Sequence, residues 1–253
     1  MNCLRRGTGQ VGVLLAALAV AQPAAAAGYV TLGAAPAYFS GPFGGSSSIG
    51  VYDLPLTLRY HAANWQVSAE LPLLAITGAG ALVTGGNPRG VRAGLGDLWL
   101  GGDLRLNRPQ GWQPAVIPYA RLKIPTASAA HGFGTGQPDA EIGSRVEWRV
   151  AAPLYVYGQA GYRFDGRKAG LGIQNAPVLA GGVALLVTPH SVLSLAFEAR
   201  GPLQSGAGET ETALAAFSTP LSTCFSLQLF ALRGFTPANA AYGGGLGITA
   251  RLP

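Results

Sequence analysis

Asp139-Ala140-Glu141-Ile142-Gly143-Ser144-Arg145-Val146-Glu147-Trp148-Arg149-Val150 puts Asp139, Glu141, Arg145, Glu147 and Arg149 on one face of an extended chain. Ala140, Ile142, Val146, Trp148 and Val150 take the other. Successive side chains of a strand point to opposite faces, so this stretch is a strand with one charged and one apolar side. The pattern recurs on both sides of it. In 153–164, Leu154, Val156, Ala160, Tyr162 and Phe164 oppose Tyr155, Tyr157, Gln159 and Arg163. In 49–60, Tyr52, Leu54, Leu56, Leu58 and Tyr60 oppose Asp53, Thr57 and Arg59.

Read outward, the chain predicts twelve strands: 29–40, 49–60, 64–74, 91–106, 113–124, 139–150, 153–164, 177–188, 191–200, 210–218, 221–232 and 241–252. The connections between them alternate in length. Those at 61–63, 107–112, 151–152, 189–190 and 219–220 are short; those at 41–48, 75–90, 125–138, 165–176, 201–209 and 233–240 are long and rich in Gly, Ser and Pro. Ten-residue alternating segments joined by short turns and long loops in turn are the pattern of a transmembrane antiparallel β-barrel. The expected fold class is therefore all-β, an up-and-down barrel of about twelve strands over 28–253, with both termini periplasmic. A ten-stranded barrel is the alternative if 29–40 or 210–218 does not span, and a soluble secreted sandwich comes third. Pro55, Pro72, Pro118 and Pro153 count against regular central strands, because each removes a ladder donor.

Composition agrees with the pattern. Only 11% of residues are charged, too few for the surface of an ordinary secreted domain. Beyond residue 27 no run of about 18 apolar residues occurs, which excludes a helical span. Residues 1–27 read as a cleavable export signal: Arg5 and Arg6, an apolar core over Val11–Val20, then the Ala24–Ala27 run. Without Arg5 and Arg6 the net charge falls from +6 to +4, a mild excess that gives no basis for a nucleic-acid partner. Cys3 lies in the signal, so Cys224 is left alone and an internal disulfide is excluded. No His, Cys and carboxylate set has metal-ligand spacing, and no cofactor is expected. Tyr60, Trp65, Trp112 and Trp148 near short turns, with Tyr38, Phe164 and Tyr242 near long loops, predict aromatic girdles at both membrane interfaces.

Three clusters carry a family likeness: Leu95-Gly96-Asp97-Leu98, Lys123-Ile124-Pro125-Thr126, and Gly134-Thr135-Gly136 before Asp139. In order and spacing, with the final Tyr242-Gly243-Gly244-Gly245-Leu246-Gly247 strand, the chain resembles the family of outer-membrane transporters named after the meta-pathway of phenol degradation. Ala127, where that family pattern has a glycine, and the closing Arg251-Leu252-Pro253, without a terminal aromatic, depart from it. The resemblance implies an outer-membrane barrel that takes up small, often aromatic, compounds. It implies no catalytic residues. A protein of this kind has outer-membrane lipids and lipopolysaccharide as surroundings, the barrel assembly machinery as an insertion partner, and a small-molecule solute as cargo.

The charges on the polar strand faces are the candidate site. Arg or Lys facing lipid at mid-membrane would cost about 2–4 kcal/mol each, so they are expected to face the lumen. Arg121, Lys123, Glu141, Arg145 and Arg163 are placed toward the extracellular mouth, and Asp53 and Asp97 also belong to the polar faces. Four cations and one acid would favour anionic solutes, provided the cations are not paired internally. Two other classes compete: a closed structural or adhesive barrel, and a barrel-embedded lipid hydrolase using His131, which has Thr126, Ser128 and Thr135 in the same loop.

Overall fold

The computed structural model describes residues 28–45, 47–78, 90–107, 113–167, 173–202 and 208–252. The signal-peptide reading of 1–27 lies outside these residues. The strands are β1 (Tyr29–Ala34), β2 (Ala37–Gly41), β3 (Ile49–His61), β4 (Trp65–Thr77), β5 (Arg92–Leu95), β6 (Leu98–Leu104), β7 (Ala115–Ile124), β8 (Asp139–Ala151), β9 (Leu154–Asp165), β10 (Ala176–Leu186), β11 (Val192–Arg200), β12 (Thr210–Pro220), β13 (Phe225–Gly234) and β14 (Tyr242–Leu252). All pairings are antiparallel between sequence neighbours, and β14 closes on both β1 and β2. β1 and β2 form one stave, as do β5 and β6, so the closed barrel has twelve staves. Segments 29–40 and 210–218 are both part of the wall, which removes the ten-stranded alternative.

The two broken staves have one cause. Pro55 and Pro72 face each other across β3 and β4. Proline offers no N–H to a neighbouring strand, so each is a weak point in the ladder. Beside Pro55 the first stave breaks at Ala35–Pro36, keeping a bond from the Ala35 amide to the Pro55 carbonyl (3.2 Å). Beside Pro72 the other breaks at Gly96–Asp97, with the Gly96 amide on the Pro72 carbonyl (2.8 Å). At this second break the register slips by one residue, from Leu73↔Leu95 to Glu70↔Trp99. The slip is a β-bulge, and it changes which parity points inward. Pro118 lies just past the last β6–β7 pair, and Pro153 sits in the turn after β8.

The outer wall is apolar. Leu58, Val67, Leu100, Leu122, Ile142, Leu179, Leu195, Leu229 and Ile248 are exposed on successive strands. Such a continuous apolar surface on a closed barrel is a lipid-facing belt. Tyr60 with Trp65 flank the β3–β4 turn, while Tyr38, Phe164 and Tyr242 are exposed toward the long loops. Trp112 lies outside the described residues. Both described chain ends meet the short-turn end, where Tyr29 pairs with His61 and Val30 with Leu252. Ile142, 54% exposed on β8, tests the belt. Ile142→Arg is expected to lower barrel stability in lipid vesicles by about 2–4 kcal/mol, read by urea unfolding.

The charged lumen wall and the inward loop

Inside, the barrel has two unlike walls. On β12, β13, β2 and β3 the buried apolar side chains are Leu214, Ala216, Phe230, Leu232, Phe39, Ile49 and Val51, with Thr210 and Thr212 buried beside them on β12. On β6 to β9 and β11 they include Trp99, Lys123, Asp139, Glu141, Gln159, Arg163, Asp165, Glu198 and Arg200.

Nearest the long loops, Lys123 Nζ lies 3.4 Å from Asp97 Oδ2 and 2.5 Å from Asp139 Oδ2. The same Asp139 oxygen receives Arg163 Nη2 at 2.8 Å, and its other oxygen takes the Gly166 amide at 2.9 Å. Arg163 Nε reaches Asp165 at 2.8 Å. Three carboxylates thus hold two cations, all of them buried. The bulge puts Asp97 there, since it shifts the inward positions from Arg92 and Gly94 to the odd-numbered residues that follow.

One register step down the lumen, Arg121, Glu141 and Arg163 are direct cross-strand neighbours. Glu141 accepts from the Tyr119 hydroxyl (3.0 Å) and lies 3.7 Å from Arg200, which is bonded to Glu198 at 2.5 Å. Tyr119 can lie over β8 and β9 because Gly143 and Gly161 face each other there. A Cβ at either would stand 2.6 or 2.3 Å from its hydroxyl. Trp99 receives two guanidiniums on its ring, Arg121 at 4.9 Å and Arg163 at 5.5 Å.

These distances correct the expectation of a basic mouth. Lys123 and Arg163 are neutralised by Asp97, Asp139 and Asp165, the last of which lies just past the predicted strand 153–164, where the sequence pattern gives no face. Glu141 pairs with Arg200 rather than with the four cations. Arg145 is not at the mouth at all. It lies four residues down β8 from Glu141, about 13 Å at roughly 3.3 Å per residue, and bonds Glu147, which Arg105 also holds. Arg121 forms no ion pair among the described residues. Asp53 stands apart on β3, its Oδ1 without a hydrogen-bond partner.

The 125–138 loop folds inward against the same knot. The Thr126 hydroxyl donates to the Gly96 carbonyl and accepts from the Leu98 amide, both at 2.9 Å. The Ala127 amide donates to Asp97 (3.0 Å), and Lys123 donates to the Thr135 hydroxyl (3.1 Å). A Cβ on Gly134 would lie 2.8 Å from both Ala127 and the Asp97 carboxylate, so only glycine lets the loop approach this closely. The three clusters that carry the family likeness therefore meet at one place. Fastened in this way, the loop drives Phe133 (4% exposed) against Gly94 and into the buried group Phe39, Ile49, Val51, Leu74 and Ile76. The long-loop end of the lumen thus carries an apolar collar beside the ionic knot.

His131 sits on the exposed side of this loop. Its Nδ1 is 2.8 Å from Ser128 Oγ, and its carbonyl accepts from Arg92 (2.9 Å). The Ser–His contact is local, three residues apart in one turn, and no carboxylate is bonded to the ring among the described residues. A hydrolytic triad needs that orienting group.

Closed twelve-stave sheet, apolar outer belt and ionisable interior define a transmembrane β-barrel of the outer-membrane type. Among solved structures it is similar to the COG4313 outer membrane channel from Pseudomonas putida F1, at 15% identity over 89% of this chain and 94% of that one, with a TM-score of 0.65. It is also similar to the translocator domain of autotransporter NalP from Neisseria meningitidis (11% identity, 95% and 93% covered, TM-score 0.60) and to the KdgM porin (9% identity, 87% and 98% covered, TM-score 0.59). No protein-family model and no curated protein sequence matches the chain. At such identities the likeness establishes the fold, and one fold serves channels and a translocator alike.

Proposed function

We propose that this barrel carries small solutes across the outer membrane, with its short-turn end toward the periplasm, and that it belongs with the transporter family its three motifs resemble. One observation carries the reading. Inward-facing Arg59 Nε, Arg121 Nη1, Glu198 Oε2 and Arg200 Nη2 are buried without a hydrogen-bond partner among the described residues. Buried polar atoms of native proteins are paired with protein or with water, so these atoms call for water or a polar solute along the lumen. A hydrated, charge-lined path is how selective pores are built. The likeness to channel structures supports the reading, as does the convergence of all three motifs on the loop that narrows the mouth.

A closed barrel is the second reading, favoured by the complete burial of Val51, Ile76 and Glu141. Reconstitution in planar bilayers separates the two. Discrete conductance steps and solute-dependent liposome swelling are expected; an electrically silent barrel that is properly folded would eliminate transport. His131→Ala is expected to leave conductance unchanged and to remove no lipid-hydrolysing activity. Loss of such an activity in that variant would instead establish the hydrolase.

A further inference from the structure

The short-turn end of the lumen holds a second group of charges that the knot at the mouth does not involve. β1 lies between β3 and β14, and its register sets Thr31 directly between Arg59 and Arg251. All three share the inward-facing parity of their strands. Neighbouring strands are about 4.8 Å apart, so the two arginine stems start about 10 Å from each other with a hydroxyl between them. Arg guanidiniums on such stems reach a common point.

The surroundings hold this arrangement open. Arg251 lies over the Tyr29 ring at 3.9 Å, Tyr29 stacks on His61 at 4.5 Å, and the Thr31 hydroxyl is 3.2 Å from His61 Nε2. Arg251 is therefore positioned by stacking, not by a carboxylate. Arg59 has a buried Nε without a partner. Among the described residues neither arginine forms an ion pair. The acids within electrostatic reach of Arg59 are Asp103 and Glu70, and Arg145 adds a like charge from another wall. Asp103 is engaged by the Gln66 amide at 2.5 Å, and Glu147 is shared by Arg105 and Arg145. Five cations (Arg59, Arg105, Arg145, Arg149, Arg251) thus face three acids (Glu70, Asp103, Glu147) at this end. Like charges held together in a confined space favour a counter-ion, and paired guanidiniums match an oxyanion best.

We propose that Arg59, Thr31 and Arg251 form an oxyanion-binding site at the short-turn end of the lumen, taking the carboxylate or phosphate of a solute. The site deepens the transport reading by naming the chemistry of the cargo, but binding itself is measurable without transport. Citrate and inorganic phosphate are the probes, titrated calorimetrically into the full barrel in detergent. Saturable binding is expected, weakened about tenfold or more in the Arg59→Gln/Arg251→Gln double variant, as loss of charge-assisted bonds requires. Arg167→Gln, on an exposed loop, is expected to bind as the parent does. Saturation by citrate alone assigns a carboxylate ligand, and by phosphate alone a phosphate ligand. Absence of saturable binding to either, or equal binding in parent and double variant with the heat-modifiable barrel intact, would overturn the site. A parent that binds citrate yet conducts nothing would refute transport and leave the site; a conducting parent that binds neither probe would do the reverse.

Discussion

Asp139→Asn is expected to destabilise the folded barrel by about 3–5 kcal/mol, the cost of removing one partner from a buried ion pair. Asp139 is the carboxylate on which Lys123 and Arg163 both converge, its side chain is 2% exposed, and it also holds the Gly166 amide. Asparagine keeps the size and one acceptor but leaves two cations against Asp97 and Asp165 alone. Asp165→Asn should cost clearly less, since Arg163 retains Asp139. Urea unfolding in lipid vesicles measures both. Equal costs for the two substitutions would mean that the network does not hinge on Asp139.

Releasing the inward loop should have the largest effect on conductance. Asp97→Asn combined with Thr135→Val removes one of the two charges facing Lys123, weakens the acceptor for the Ala127 amide and removes the hydroxyl that Lys123 holds, while Phe133→Ala removes the ring that fills the collar. Each change is expected to raise single-channel conductance severalfold, because an apolar constriction limits ion passage by excluding water. Phe235→Ala, an exposed aromatic outside the collar, should leave conductance at the parent value. If Phe133→Ala conducts like the parent, the narrowest point lies elsewhere.

The twelve-stave architecture was legible because lipid outside and charge inside impose period two on every stave, and period two survives in a single sequence. Alternation in 139–150 and 153–164 matches the observed facing of Glu141, Arg145, Gln159 and Arg163 residue by residue. Of the four prolines that count against regular strands, Pro55 and Pro72 mark the two breaks. Their consequence could not be read locally. A bulge opposite Pro72 depends on which strand pairs with β4, and that pairing spans residues far apart in the chain.

For the lumen, the residue types were evident from the strand faces, but their partners were not. Period two says that Arg121, Lys123 and Arg163 point inward; it carries no information on the height of Asp97, Asp139 and Asp165 around the barrel. Those acids come from a bulge and two strand ends, brought level by interstrand register and stave tilt. Arg59 and Arg251 are nearly two hundred residues apart in the chain and meet only because β1 closes the sheet between β3 and β14. Side-chain direction is a local property of an extended backbone, whereas charge pairing is a property of closure. Hence the amino-acid order sufficed for the barrel, its lipid face and the inventory of its lumen, and the folded sheet alone assigned which charges neutralise one another and which are left to meet a solute.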